Sequence, residues 1–180
     1  IAAAKENGQP IVPEVCIFFE NDLMRGNRTS KINADHFNAF RSYNYPVLAH
    51  AGIYIKYDDR QIYHPISRKP LKPHFLLDRN IAILKLFPGI SPLVIESILN
   101  IPGIKGIVME TFGSGNAPSQ EWFLKMLKDA VDRGIVIVNI TQCSAGSVEM
   151  HRYETGHKLL EAGVISGFDS TTESAVAKLM

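Results

Sequence analysis

The sequence predicts an α/β protein. It reads as the end of an amino-terminal α/β domain (residues 1–49), a linker (50–74) and a smaller carboxyl-terminal α/β domain with a parallel sheet (75–180). Three observations carry this reading. "IAILKLF", "IKGIVMET" and "IVIVNIT" are short Ile- and Val-rich runs, the composition of strands buried on both faces. Stretches of helical periodicity lie between and after them. A segment with three prolines and mixed charge precedes the first run.

Taken in order, "IAAAKENGQPIVPEVCIFF" reads as the tail of a helix or linker entering a strand. Upstream sequence is expected before it, and further sequence after "TTESAVAKLM". "VCIFFENDLMRG" predicts a strand, a tight Asn21-Asp22 turn and a short second strand. "SPLVIESILN" opens with Ser-Pro, a helix-start signal. "SQEWFLKMLKDAVDRG" puts Phe123, Leu127, Ala130 and Val131 on one stripe, with Trp122, which opens it, expected in the core rather than as a stacking platform, and Gly134 as the closing cap. "YETGHKLLEAG" and "TTESAVAKLM" predict two more helices. Strands alternating with helices make a parallel layer joined by crossovers.

Composition narrows the function classes. Of 180 residues, 46% are hydrophobic and 21% charged, an ordinary globular balance. With 19 basic and 18 acidic residues the net charge is +1, so no nucleic-acid or membrane-surface partner is expected. Cys16 and Cys143 are too few and too far apart for a disulfide framework, and no secretory h-region opens the chain. A cytoplasmic setting is therefore expected. The triplets at Asn27 and Asn139 then read as accidental glycosylation patterns.

Candidate sites follow from the topology. In open parallel sheets, ligands meet the loops at the carboxyl ends of strands, here "ETFGSGNAPSQ" and "TQCSAGS". Backbone N–H groups of such loops can hold a carboxylate or phosphate, and equally these are ordinary glycine turns and caps. "GSGN" is not a dinucleotide fingerprint. Cys143 lacks a recognisable histidine partner, which favours a packing or hydrogen-bonding role over a nucleophile. The six histidines show no ligand spacing, so no metal and no cofactor are expected. "RGNRTSK" packs Arg25, Arg28 and Lys31 around a threonine and a serine. A lysine in such a loop is ordinarily a solvated charge. The alternative is a relay in which Lys31 helps a neighbouring hydroxyl lose a proton, and spacing alone leaves both open.

"VPEVCIFFENDLMRGNRTSKINADHFNAFRSYNYPVLAHAG" resembles the late part of the amino-terminal domain of L-asparaginases, especially the cytoplasmic type I enzymes. "LKLFPGI", "GIVMETFGSGNAP", "DRGIVIVNITQC" and "EAGVISGFDSTTESAVAKL" resemble successive pieces of their carboxyl-terminal domain. The resemblance implies hydrolysis of L-asparagine to aspartate and ammonia through a threonine-linked acyl-enzyme in a homodimer or homotetramer. Lys31 matches the relay lysine. The nucleophile's TGGTI-type motif and the relay's TDT-type motif are expected upstream, so these 180 residues alone are expected to be inactive. Thr141 and Cys143 match an asparagine effector site. Glu110 stands where the bacterial pattern has arginine, which argues against a carboxylate effector. Asn116 matches a loop beside a neighbouring subunit's active site. Competing readings are the amidohydrolase subunit of a tRNA-dependent amidotransferase and a non-catalytic small-molecule-binding module.

Overall fold

A computed structural model gives the structure of residues 4–67, 70 and 72–180. The chain forms two compact units, Ile1–Phe75 and Leu76–Met180.

Unit 1 is built from short antiparallel strands. β1 (Lys5–Glu6) and β2 (Gln9–Pro10) pair across Asn7 and Gly8, at φ 52° and 74°. Two successive positive φ values are what an Asn-Gly hairpin turn supplies. Residues 5–10 therefore form a hairpin, where the tail of a helix or a linker was expected. β3 (Cys16–Phe19) and β4 (Asp22–Arg25) pair with Phe19 opposite Asp22. The turn between them is thus Glu20-Asn21, one residue earlier than expected, with Glu20 at φ 52°. After a one-turn 3₁₀ helix (Gly26–Arg28), β5 (Ser30–Lys31) pairs with β6 (Phe40–Arg41). β7 (Ala49–Ala51) and β8 (Ile55–Tyr57) complete a four-stranded sheet in the order β3-β4-β7-β8.

Most of β7 and all of β8 lie in the stretch read as a linker. Ile62, also in that stretch, is buried with Val12, Leu23, Leu48 and Ala49. Three-residue strands are too short to show alternation, and the surrounding prolines and charges masked them. Lys69, inside the same stretch, lies outside the described residues.

Unit 2 follows the predicted alternation through its third strand and adds a fourth, unpredicted two-residue strand between the last two helices. β9 (Ile81–Lys85), α1 (Pro92–Leu99), β10 (Gly106–Thr111), α2 (Glu121–Asp132), β11 (Val136–Thr141), α3 (Glu154–Glu161), β12 (Ile165–Ser166) and α4 (Thr172–Leu179) succeed one another. The sheet is parallel throughout, in the order β12-β11-β10-β9. All six residues of β10 are buried, the polar Glu110 and Thr111 at its end as well as the apolar run before them.

Pleating sorts the strand residues. Ile107, Met109 and Ile137 join Ile95 and Leu99 of α1, Phe123, Leu127 and Ala130 of α2, and Leu159 of α3 in the main core. Val108 and Ile140 face the other way and pack with Ala175 of α4. Ser91 caps α1 by accepting the Val94 N–H, and Thr171 caps α4 by accepting that of Ser174. Gly134, at φ 90°, ends α2, and the next N–H returns to the Ala130 carbonyl. The Asp78 N–H donates to the Met180 carbonyl at 2.8 Å, which ties the end of α4 to the approach of β9. No helix among the described residues is long and apolar enough to cross a membrane.

Candidate functional site

Lys31 ends β5, and its backbone is opposite Phe40 of β6. The Ile32 N–H extends the ladder to Ala39 at 2.7 Å, and Phe40 packs on Phe19 of β3 with ring centroids 5.1 Å apart. The lysine side chain is exposed, and its ammonium has no hydrogen-bond or ion-pair partner among the described residues. A cation held on an ordered backbone but left without a counter-charge is available to a group arriving from outside it.

Arg25 is the opposite case. Its Nε and one terminal nitrogen donate to both oxygens of the Glu14 carboxylate, in the forked geometry arginine favours. The same terminal nitrogen reaches the Gln61 carbonyl at 3.0 Å, and the guanidinium lies 4.1 Å from the Tyr45 ring centroid. The Glu14 carboxylate also accepts the Tyr63 N–H at 2.7 Å. Burial pushes the Glu14 carboxyl upward, but the bonds from Arg25 and Tyr63 outweigh it and hold the group below its ordinary value. The hydrogen bonds to Glu14 raise Arg25 further. Arg28 lies 5.6 Å from the same tyrosine ring. Thr29 is buried, and its hydroxyl donates to the Arg25 carbonyl at 2.7 Å.

The strand ends of unit 2 hold the other candidates. Thr141 is buried, donates to the Gly113 carbonyl at 2.6 Å and accepts the Cys143 N–H at 3.0 Å. Cys143 itself is exposed. Thr141 pairs with Thr111 in register and shares its face of the sheet. Glu110 projects to the opposite face, where it accepts the Thr172 hydroxyl at 2.7 Å and lies 3.4 Å from the Lys85 ammonium. A local bond from the Cys143 backbone ties Cys143 to Thr141, while the pleat sets the Glu110 carboxylate on the opposite face of the sheet from Thr141. Asn116 forms a bridge with Phe112, and its side-chain oxygen accepts the Thr155 hydroxyl at 3.2 Å.

Two residues here escaped the sequence reading. Gln142 donates to the Leu86 and Glu110 carbonyls at 2.6 and 2.9 Å, stitching three strand ends together. Nothing in "TQCSAGS" marks it out. Asn139 is fully buried; its oxygen accepts the Thr111 hydroxyl at 2.7 Å, while its Nδ2 has no partner among the described residues. Its place inside "IVIVNIT" was a usable signal, because a polar residue within a buried run demands a partner. No cluster of three His, Cys, Asp or Glu residues among those described could hold a metal ion.

Residues 80–180 match the family model described as the Glutaminase/Asparaginase C-terminal domain, and residues 1–63 that described as Asparaginase, N-terminal. The chain is 42% identical over 177 residues to L-asparaginase 1 of Escherichia coli, covering 93% of this chain and 49% of that protein. It is 42% identical over 172 residues to the 60 kDa lysophospholipase of Mus musculus, covering 96% of this chain and 30% of that one. It is 33% identical over 158 residues to a component of the glutamyl-tRNA(Gln) amidotransferase of Methanobrevibacter smithii, covering 87% and 36%. The crystal structure of L-asparaginase I from Vibrio cholerae superposes with a TM-score of 0.78 at 43% identity, covering 93% of this chain and 50% of that one. The chain thus spans between 30% and 50% of the length of these relatives. With both family models matched in chain order and a parallel-sheet unit of the same architecture, the chain belongs to the asparaginase family.

Proposed function

We propose that the chain is the later part of an amidohydrolase that converts L-asparagine to L-aspartate and ammonia. In this reading a threonine outside these residues attacks the side-chain amide carbon and ammonia leaves. Water then cleaves the resulting acyl-enzyme. Lys31 serves the relay that takes the threonine's proton. The observation that carries the reading is Lys31 itself, an unpaired ammonium on a hydrogen-bonded strand within the part matched to the amino-terminal asparaginase model. Lysine can exchange a proton when its surroundings lower its pKa, whereas arginine stays charged.

The test is steady-state hydrolysis of asparagine by the full-length protein. Lys31→Met should keep the fold and lower kcat by about 10², the scale of lost proton-transfer help. Near-full turnover would make the loop a solvated turn. The 180-residue polypeptide alone should release no ammonia, and turnover by it, free of contaminating enzyme, would overturn the assignment.

The proposal includes a cytoplasmic homodimer or homotetramer with the Asn116 loop at a subunit contact, and no nucleic-acid or membrane partner. It also includes hyperbolic asparagine kinetics. The Glu110 carboxylate is unsuited to a carboxylate effector and lies on the far face of the sheet from Thr141. Sigmoidal dependence in the unaltered enzyme would contradict this. The likeness to the amidotransferase component supports a second reading, in which the ammonia is delivered to a charged tRNA. Ammonia release that depends on such a tRNA would favour it.

A further inference from the structure

We propose that Glu14 and Arg25 are positioning residues for Lys31. The inference rests on the relay reading of Lys31 and adds how its ammonium is placed. No side-chain contact among the described residues fixes that ammonium, so the course of the backbone alone decides where it can reach.

That course is set at Arg25, the last residue of β4 and the residue from which the 3₁₀ turn departs. The guanidinium is held on one side by the Glu14 carboxylate and on another by the Gln61 carbonyl, and the Tyr45 ring lies against it. Glu14 is fixed in turn by the Tyr63 N–H. At the other end of the turn, Thr29 bonds back to the Arg25 carbonyl, immediately before β5 begins. The turn also crosses the chain closely. The Gly26 N–H donates to the Val15 carbonyl at 2.9 Å, and a Cβ on Gly26 would stand 2.9 Å from that same oxygen. The chain between Arg25 and Lys31 thus leaves a braced point in a braced direction. Removing the Glu14–Arg25 pair frees the start of that path and lets the ammonium drift while the β5–β6 pairing survives.

The experiment is a double-mutant cycle in the full-length protein with L-asparagine, reading kcat, KM and thermal midpoint. Arg25→Met should lower kcat about tenfold with KM little changed, short of the roughly 10²-fold that a 1 Å misplacement can cost. In a Lys31→Met background the same substitution should change kcat by less than about twofold, because there is no ammonium left to misplace. Glu14→Gln, which keeps the side-chain shape, should show the same pattern and carries the test if Arg25→Met fails to fold. A purely structural pair would lower the thermal midpoint in both backgrounds and leave kcat of the folded enzyme unaltered. That result, or losses that multiply in the double variants, would overturn the proposal. Full turnover in Lys31→Met would overturn the relay reading as well. A large loss there beside unaltered kcat in Arg25→Met and Glu14→Gln would overturn the positioning role alone.

Discussion

The two units are stabilised by different means. Among the described residues, unit 2 gathers sixteen buried apolar side chains of its helices, strands and loops into one cluster, against five in the corresponding cluster of unit 1. Unit 1 replaces the missing apolar area with a polar brace in which Glu14, Arg25, Tyr45 and the Gln61 carbonyl are tied together. An apolar core tolerates surface change and punishes cavities, while a half-buried ion pair punishes loss of either partner. The units should therefore respond differently to substitution and to pH.

The largest effect is expected in unit 2. Phe123 is fully buried in the main cluster, and Phe123→Ala should cost about 4 kcal/mol, read as a lowered denaturant midpoint. A cost below that of any unit 1 variant would break the contrast. Next comes Glu14→Ala, which strands the Arg25 guanidinium. It should cost about 2 kcal/mol, less than for a fully buried pair because the Arg25 side chain keeps 20% exposure.

The same pair gives a pH signature. The Glu14 carboxyl sits below its ordinary 4.5 in the folded chain. Its contribution is complete above that pH and is lost as pH falls through the lower folded value. Acid unfolding followed by a probe in unit 1 should show this loss, and Glu14→Gln should flatten it.

How much of this was legible follows from the same contrast. β10 and β11 were visible because strands inside a covered sheet carry short runs of Ile and Val, here interrupted only by Asn139 and by the polar residues at their carboxyl ends. The stripe of α2 was visible because Phe123, Leu127 and Ala130 recur at helical spacing. Strands β7 and β8, three residues each, carry no period to read. The Asn7-Gly8 turn did carry a signal, and its meaning was lost because β1 and β2 have only two residues apiece. The brace was invisible for another reason. Glu14 and Tyr63 lie 49 residues apart, and no local pattern links a carboxylate to a backbone N–H at that distance. At the strand ends, the residue types of Glu110 and Thr141 were plain, but their opposite faces emerged only from the register.

Smaller effects sharpen the comparison. Thr141→Val keeps the side-chain volume but removes the bonds to the Gly113 carbonyl and the Cys143 N–H, and should cost about 1 kcal/mol. A loss as large as that of Glu14→Ala would mean that unit 2 also depends on polar bracing. Lys128→Ala removes an exposed pair with Asp132 on the outer side of α2 and should stay within about 0.5 kcal/mol. A larger loss by thermal melting would show that the surface of unit 2 matters more than its core suggests.

The strand order of unit 2 has a consequence for synthesis. Because β9, β10, β11 and β12 lie side by side in the order in which they are translated, each strand leaves the ribosome next to a neighbour already waiting for it. Among these four described strands, none must be held open for a later one to insert. After the four strands, α4 reaches across β10 and β11 once they are paired, and Met180 returns its carbonyl to Asp78, ahead of β9. A nascent chain arrested after β12 would have these four strands in order with the α4 side uncovered, so the emergence of α4 is the step that shields Val108 and Ile140 from the chaperones that bind such surfaces.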